Sequence, residues 1–161
     1  VKAVRPEFFF DFPAFFAQEV KRLTQLNRPV QKTVLLAKDS SSQRLERIDW
    51  AKELSPFMAL QLNKPLWLEH YRVDSLRNAQ GQLVQLRYQA QKLSLPIQAA
   101  DVHFEQGQPL HFSFVLRNSN ALYESQEYLS YHCQKGYTLR KEQDIRYWDQ
   151  QQYQIRVDFL P

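Results

Sequence analysis

The sequence predicts an α+β fold: a curved antiparallel β-sheet, a meander of about seven to nine strands, with N-terminal helices packed on its apolar face. Three observations carry this. Helical periodicity is confined to the first part of the chain. From residue 69 onward, short runs rich in β-branched and aromatic residues alternate with turn signals. The last run alternates strictly, with Tyr153, Ile155, Val157 and Phe159 pointing one way and Gln154, Arg156 and Asp158 the other. The chain reads as a single domain over 1–161, with helical segments and a hairpin in 1–68 and the meander in 69–161.

Each element has its own signal. After Phe8-Phe9-Phe10, Asp11 is placed to cap a helix over 12–28, with Pro13 in its first turn. Phe12, Phe16, Val20 and Leu23 share one face of that helix, and Gln18, Lys21, Arg22 and Gln25 take the other. Arg28 complements the negative helix end and Pro29 stops it. Two strands follow, Val30–Ala37 and Gln43–Ile48, separated by the polar run Lys38–Ser42, which reads as a loop. Asp49 caps a short helix over Trp50–Leu54, and Ser55-Pro56 restarts one through Leu62. Asn63-Lys64-Pro65 breaks it. The meander strands are Tyr71–Arg77, Leu83–Gln91, Ile97–Glu105, Leu110–Arg117, Ala121–His132, Tyr137–Trp148 and Gln152–Leu160.

Composition narrows the classes of function. With 43% hydrophobic and 14% aromatic residues the chain offsets its ordering entropy and forms a core. No apolar run approaches the roughly 20 residues of a membrane-spanning helix. The net charge of +4, from 21 basic and 17 acidic residues, favours anionic surfaces only weakly. Basic residues such as Lys21, Arg22, Arg28 and Lys32 are interspersed with acids, which disfavours nucleic acid as a partner. Cys133 is the lone cysteine, so no intrachain disulfide forms. Three glycines leave no phosphate-cradling Gly-rich loop, and no motif implies a cofactor.

Several residue sets invite chemistry. If the Gln106–Gln108 loop centres a hairpin on Gly107, His103 lies opposite His111, with Asp101 and Ser113 on the same face. Two histidines and a carboxylate are a metal-ligating set, set against the plainer reading of solvent-facing histidines. Cys133 follows His132, but neighbours in a strand point to opposite faces, so the two do not form a nucleophilic pair. His70 has nothing around it to complete a triad. Glu124 with Glu127, and Asp144 with Asp149, are candidate carboxylate pairs that no motif fixes at a set separation. The Phe8–Phe16 cluster, near Lys2 and Arg5, reads as a core-facing strap and helix rather than as a membrane-interface segment.

The Phe-Asp-Phe helix start, Ile48-Asp49-Trp50-x-x-Glu53-Leu54, Asn63-Lys64-Pro65-x-Trp67 and the long meander together resemble uncharacterised Bacteroidetes envelope lipoproteins. That resemblance implies an extracytoplasmic place, in the periplasm or at the outer membrane, with a lipidated cysteine upstream of Val1 as the only membrane attachment. It implies no activity. A helix-covered curved sheet is also similar to carriers of lipidated proteins, an analogy of fold alone. On that analogy Phe112, Phe114, Tyr153, Ile155, Val157 and Phe159 would line a cleft for an acyl chain or other hydrophobic ligand, unless they form an ordinary packed core. Three functions follow: a non-catalytic envelope domain that binds a partner protein, a carrier of a hydrophobic ligand, and a metal-dependent enzyme using His103 and His111.

Overall fold

In the computed structural model, which describes residues 9–62 and 69–161, nine strands form one antiparallel sheet in the order β2-β1-β9-β8-β7-β6-β5-β4-β3. Chain order is α1 (Phe12–Leu26), β1 (Val30–Leu36), β2 (Asp39–Leu45), α2 (Trp50–Glu53), α3 (Ser55–Met58), β3 (Tyr71–Arg77), β4 (Leu83–Ala90), β5 (Ile97–Glu105), β6 (Gln108–Ser119), β7 (Tyr123–His132), β8 (Gly136–Ile145) and β9 (Gln151–Phe159). From β3 to β9 the sheet is an uninterrupted meander. The N-terminal hairpin then adds to its far edge, with Val30 opposite Phe159.

The local reasons follow the sequence closely for α1. The Asp11 carboxylate accepts the Ala14 backbone N–H at 3.0 Å, and Asn27 ends the helix in the left-handed conformation that asparagine tolerates. Phe12, Phe16 and Leu23 are buried on the apolar stripe. Phe16 meets Phe57, Phe112 and Tyr131 with ring centroids 4.9, 5.2 and 5.3 Å apart, and Phe12 meets Phe114 at 5.0 Å. These tilted and edge-on rings add to the area they bury. Phe9 and Phe10 join the same cluster, on Tyr88 and Phe112, and the Phe10 amide donates to the Tyr88 hydroxyl at 2.9 Å. Phe8, Lys2, Arg5 and the Asn63–Trp67 stretch lie outside the described residues.

Three expectations are corrected. The Lys38–Ser42 run is not a loop: the turn is Ala37-Lys38 alone, and β2 begins at Asp39 and ends at Leu45, short of Ile48. Ser42 is held in this edge strand by its hydroxyl, which bonds Gln31 and Thr33 across the hairpin. The restarted helix ends at Met58 rather than Leu62, although Leu60 and Leu62 beyond its end are buried. The strands predicted to run through Trp148 and from Ala121 stop at Ile145 and start at Tyr123, so apolar residues that continued the strand pattern belong to exposed turns.

Two carboxylate–phenol pairs fasten the helices to the sheet. Glu19, buried on α1, accepts from the Tyr131 hydroxyl and is gripped by Arg22 at 2.8 and 2.7 Å, while Arg22 also reaches the Cys133 carbonyl at 2.9 Å. Glu53, on α2, accepts from the Tyr137 hydroxyl and from Lys32 of β1 at 2.7 Å. A buried charge persists only with such partners.

Two outcomes test this packing. Phe16→Ala removes a ring buried among five others, and a loss of about 3–5 kcal/mol is expected in urea unfolding; a loss under about 1 kcal/mol would show that the rings do not form a filled core. Burial pushes the phenols of Tyr71 and Tyr88 up to about 12 and raises those of Tyr131 and Tyr137 further. The folded chain then holds protons that the unfolded chain releases near pH 10, so stability is complete below about pH 10 and falls above it. Absorbance at 295 nm across an alkaline titration should show these four ionising late and together with unfolding; ordinary ionisation of all eight tyrosines in a folded chain would contradict it.

Candidate functional site

Antiparallel register turns the outer face of the sheet into straight rows of side chains, because direct cross-strand partners share a face. One row reads Gln85, His103, His111, His132, Gly136, Asp158 from β4 to β9. The next reads Arg87, Asp101, Ser113, Ser130, Thr138, Arg156. His103 does face His111, by a different route from the expected one. The hairpin turn is Gln106-Gly107, both at positive φ, and a bulge between His103 and Phe104 restores the pairing. The rings of His103 and His111 stack at 5.8 Å, and His132, a residue that the single-hairpin argument does not reach, extends the row at 5.9 Å from His111.

Asp101 is committed elsewhere, accepting from Arg87 and Gln85, both at 2.9 Å. His111 Nε2 is hydrogen-bonded to the Ser130 hydroxyl at 3.0 Å. Among the described residues no three His, Cys, Asp or Glu side chains are grouped so as to hold a metal ion. The imidazoles sit in electropositive surroundings. Burial lowers the His111 pKa, and His103, His132 and Lys135 lower it further against an opposing effect of Asp101. Burial also lowers His132, with Lys135 adding to it and Glu105 opposing.

The other candidates are placed as follows. Phe112, Phe114 and Val157 are buried, and the space an acyl chain would take beside the two phenylalanines is filled by Phe12, Phe15, Phe16 and Phe57. Tyr153, Ile155 and Phe159 are half-buried against the same core, Phe159 edge-on to Trp50 at 5.6 Å. Cys133 packs against the core while His132 lies in the outer row, and burial pushes its thiol up to about 12. His70 is in the turn before β3, where its carbonyl accepts from Gln91. Glu127 pairs with Lys141 at 3.3 Å and Glu124 with Arg117 at 2.8 Å; the carboxylate opposite Glu124 in register is Asp144. Arg22 and Lys32 are used in the internal ion pairs already described.

Local sequence patterns do not reveal the rim at one end of the strands. Four connections emerge there: β1–β2, β8–β9, β6–β7 and β4–β5. Each places a large apolar side chain at or beside its tip: Leu36 (61% exposed), Tyr147 and Trp148 (87% and 73%), Leu122 (68%) and Leu93 (70%). Among the described residues, the loops around Gly81, Gly107 and Gln134 at the opposite end carry no exposed large hydrophobic; there the exposed Leu26 closes α1 and Leu76 belongs to β3 itself. Successive rim loops are two strands apart, so the row runs roughly 30 Å across the sheet. The loops are braced by one another and by the neighbouring strands: the Arg146 amide donates to Leu122 O at 2.9 Å, the Ala37 amide to Gln152 O of β9 at 3.2 Å, and Arg117 of β6 to Leu93 O at 3.2 Å. Tyr147 is held at a positive φ of 73°, with the Arg146 guanidinium 5.3 Å from its ring centroid.

No protein-family model, curated protein or solved structure matches this chain.

The depressed imidazoles make a prediction. In an NMR titration His111 and His132 should protonate below the ordinary value of about 6.5, and folding stability should be complete above that pH and decline as pH falls through the lower midpoints. Lys135→Gln should move both midpoints up. Midpoints at or above the ordinary value would show that the row is not electropositive.

Proposed function

We propose that this protein is a non-catalytic domain of the cell envelope that binds a partner protein through the apolar rim of its sheet. The envelope location rests on the resemblance to Bacteroidetes lipoproteins drawn from the sequence. The binding reading rests on a single observation: four adjacent loops present Leu36, Leu93, Leu122, Tyr147 and Trp148 to solvent at the same end. Exposed apolar groups grouped in this way mark interaction surfaces, whereas scattered ones need no explanation.

The residue types favour a protein partner. Arg, Tyr and Trp dominate binding energy at protein interfaces, and Arg146, Tyr147 and Trp148 stand consecutively on one turn. That turn is braced, with the Trp148 amide bonded to Ile145 O at 3.0 Å, so little ordering entropy is lost on docking. A left-handed conformation at a bulky residue such as Tyr147 costs of order 1–3 kcal/mol, which suits a position kept for binding rather than for the fold.

The rim is tested with Tyr147→Ala plus Trp148→Ser. The double variant should keep the unfolding midpoint of the parent, because both side chains are exposed, and should lose the protein captured by the parent from crosslinked envelopes, with an affinity loss of at least about 100-fold for an identified partner. Capture undiminished by the double variant would sink the reading. Binding of the parent, but not the variant, to protein-free lipid vesicles would reassign the rim to a membrane surface.

A further inference from the structure

At the end of the strands remote from the rim, the outer face holds a depression of about 400 Å³. Its existence follows from register. In the row His103, His111, His132, Gly136, Asp158, the glycine leaves a gap between an imidazole and a carboxylate. No larger residue fits: Gly136 has φ of 131°, and a Cβ there would lie 1.9 Å from the Val157 carbonyl oxygen. Gly136 is itself buried against the Val157 main chain, so the depression is walled by the side chains around a position that carries none. We propose that this depression is a binding site for a phosphomonoester group, carried by a small solute or by a lipid headgroup.

The groups around the floor are mostly donors. Ser130 and His132 come from β7, Thr138 from β8, Arg156 from β9, and Lys135 from the β7–β8 turn. The Gln134 backbone N–H donates to His132 Nδ1 at 3.2 Å, so the neutral ring carries its hydrogen on Nε2 and offers it as a donor. The carboxylate in the lining, Asp158, is taken by Arg156, whose Nε lies 3.0 and 2.9 Å from its two oxygens. That leaves Lys135 as the net charge of the site, and protonation of His111 or His132 adds to it. His103, Asp101 and Glu105 are the remaining titratable groups that act on these two rings.

This balance selects the ligand. A metal cation would face the Lys135 ammonium, and the Nδ1 of His132 and Nε2 of His111 are already in hydrogen bonds. An oxyanion removes the repulsion that Lys135 exerts on both imidazoles. A phosphomonoester has three terminal oxygens and up to two charges, enough to engage donors arriving from three strands and a turn; a planar carboxylate has two oxygens. The site is independent of the rim and of the envelope location, and stands whether or not those readings hold.

The test is an NMR titration of the folded chain with inorganic phosphate at pH 6, at constant ionic strength made up with sodium chloride, and with acetate as a second anion. Saturable shifts confined to Ser130, His132, Lys135, Thr138 and Arg156 are expected, together with raised imidazole midpoints, since anion binding and protonation are reciprocal. Lys135→Gln, an exposed substitution with no packing to lose, should weaken binding by about tenfold or more, while Arg87→Gln, on the same face but outside the depression, should not. Equal shifts with acetate, shifts that do not saturate, or a Lys135→Gln variant that binds as the parent does would each overturn the site. Co-sedimentation with phosphatidylcholine vesicles doped with phosphatidic acid, lost in Lys135→Gln, would assign a lipid headgroup; saturable binding of glycerol phosphate without co-sedimentation would assign a solute.

Discussion

The fold depends on the stacking of α1 on the apolar face of the sheet through phenylalanine. Phe12 and Phe16 lie one helical turn apart and meet Phe112 and Phe114, which lie two residues apart on β6. A helical period of 3.6 and a strand period of 2 are thus matched by rings large enough to span the mismatch. The apolar residues of the neighbouring strands gain their burial from that contact. Without the helix, the inner face from β4 to β7 would be exposed, and an apolar sheet face must be buried against another element.

Aromatic packing alone does not say where along the sheet the helices sit, since rings tolerate sliding. The carboxylate–phenol pairs supply that register. Glu19 reaches Tyr131 only when α1 is seated over β7, and Glu53 reaches both Tyr137 and Lys32 only when α2 lies over the β8–β9–β1 region. Such pairs contribute little net stability once desolvation is counted, but a misplaced helix would leave a buried carboxylate without partners, an error costing several kcal/mol. The polar network chooses among arrangements that the hydrophobic contact would otherwise allow.

This division explains what is legible in the sequence. The stripe of Phe12, Phe16 and Leu23, the Asp11 cap and the alternation of Tyr153 to Phe159 are local patterns, each complete within a dozen or so neighbouring residues. The opposition of His103 and His111 is legible too, although the bulge that produces it is not. His132 escapes such a reading because its place in the row depends on a second hairpin, β6–β7, whose register must be counted as well. Leu122 and Trp148 read as strand because an apolar residue after an apolar run looks the same whether it continues the ladder or stands on an exposed turn. The Glu19–Tyr131 and Glu53–Tyr137 pairs span 112 and 84 residues, a separation at which sequence carries no signal.

The order of the sheet also sets the order in which it can be built. The β1–β2 hairpin is laid down early but finds its neighbour only in β9, with Val30 pairing Phe159 and Leu36 pairing Tyr153. A lone two-stranded hairpin is marginal in water, so β1 and β2 acquire lasting structure only after the meander has zipped up to its last strand. Lys32, which belongs to that hairpin, completes the partners of Glu53, so α2 waits on the same event. Loop closure over such a span is entropically costly and slow. On a ribosome, β1 therefore emerges with only β2 beside it until β9 is made, and the aromatic helix has no finished sheet to cover in that interval.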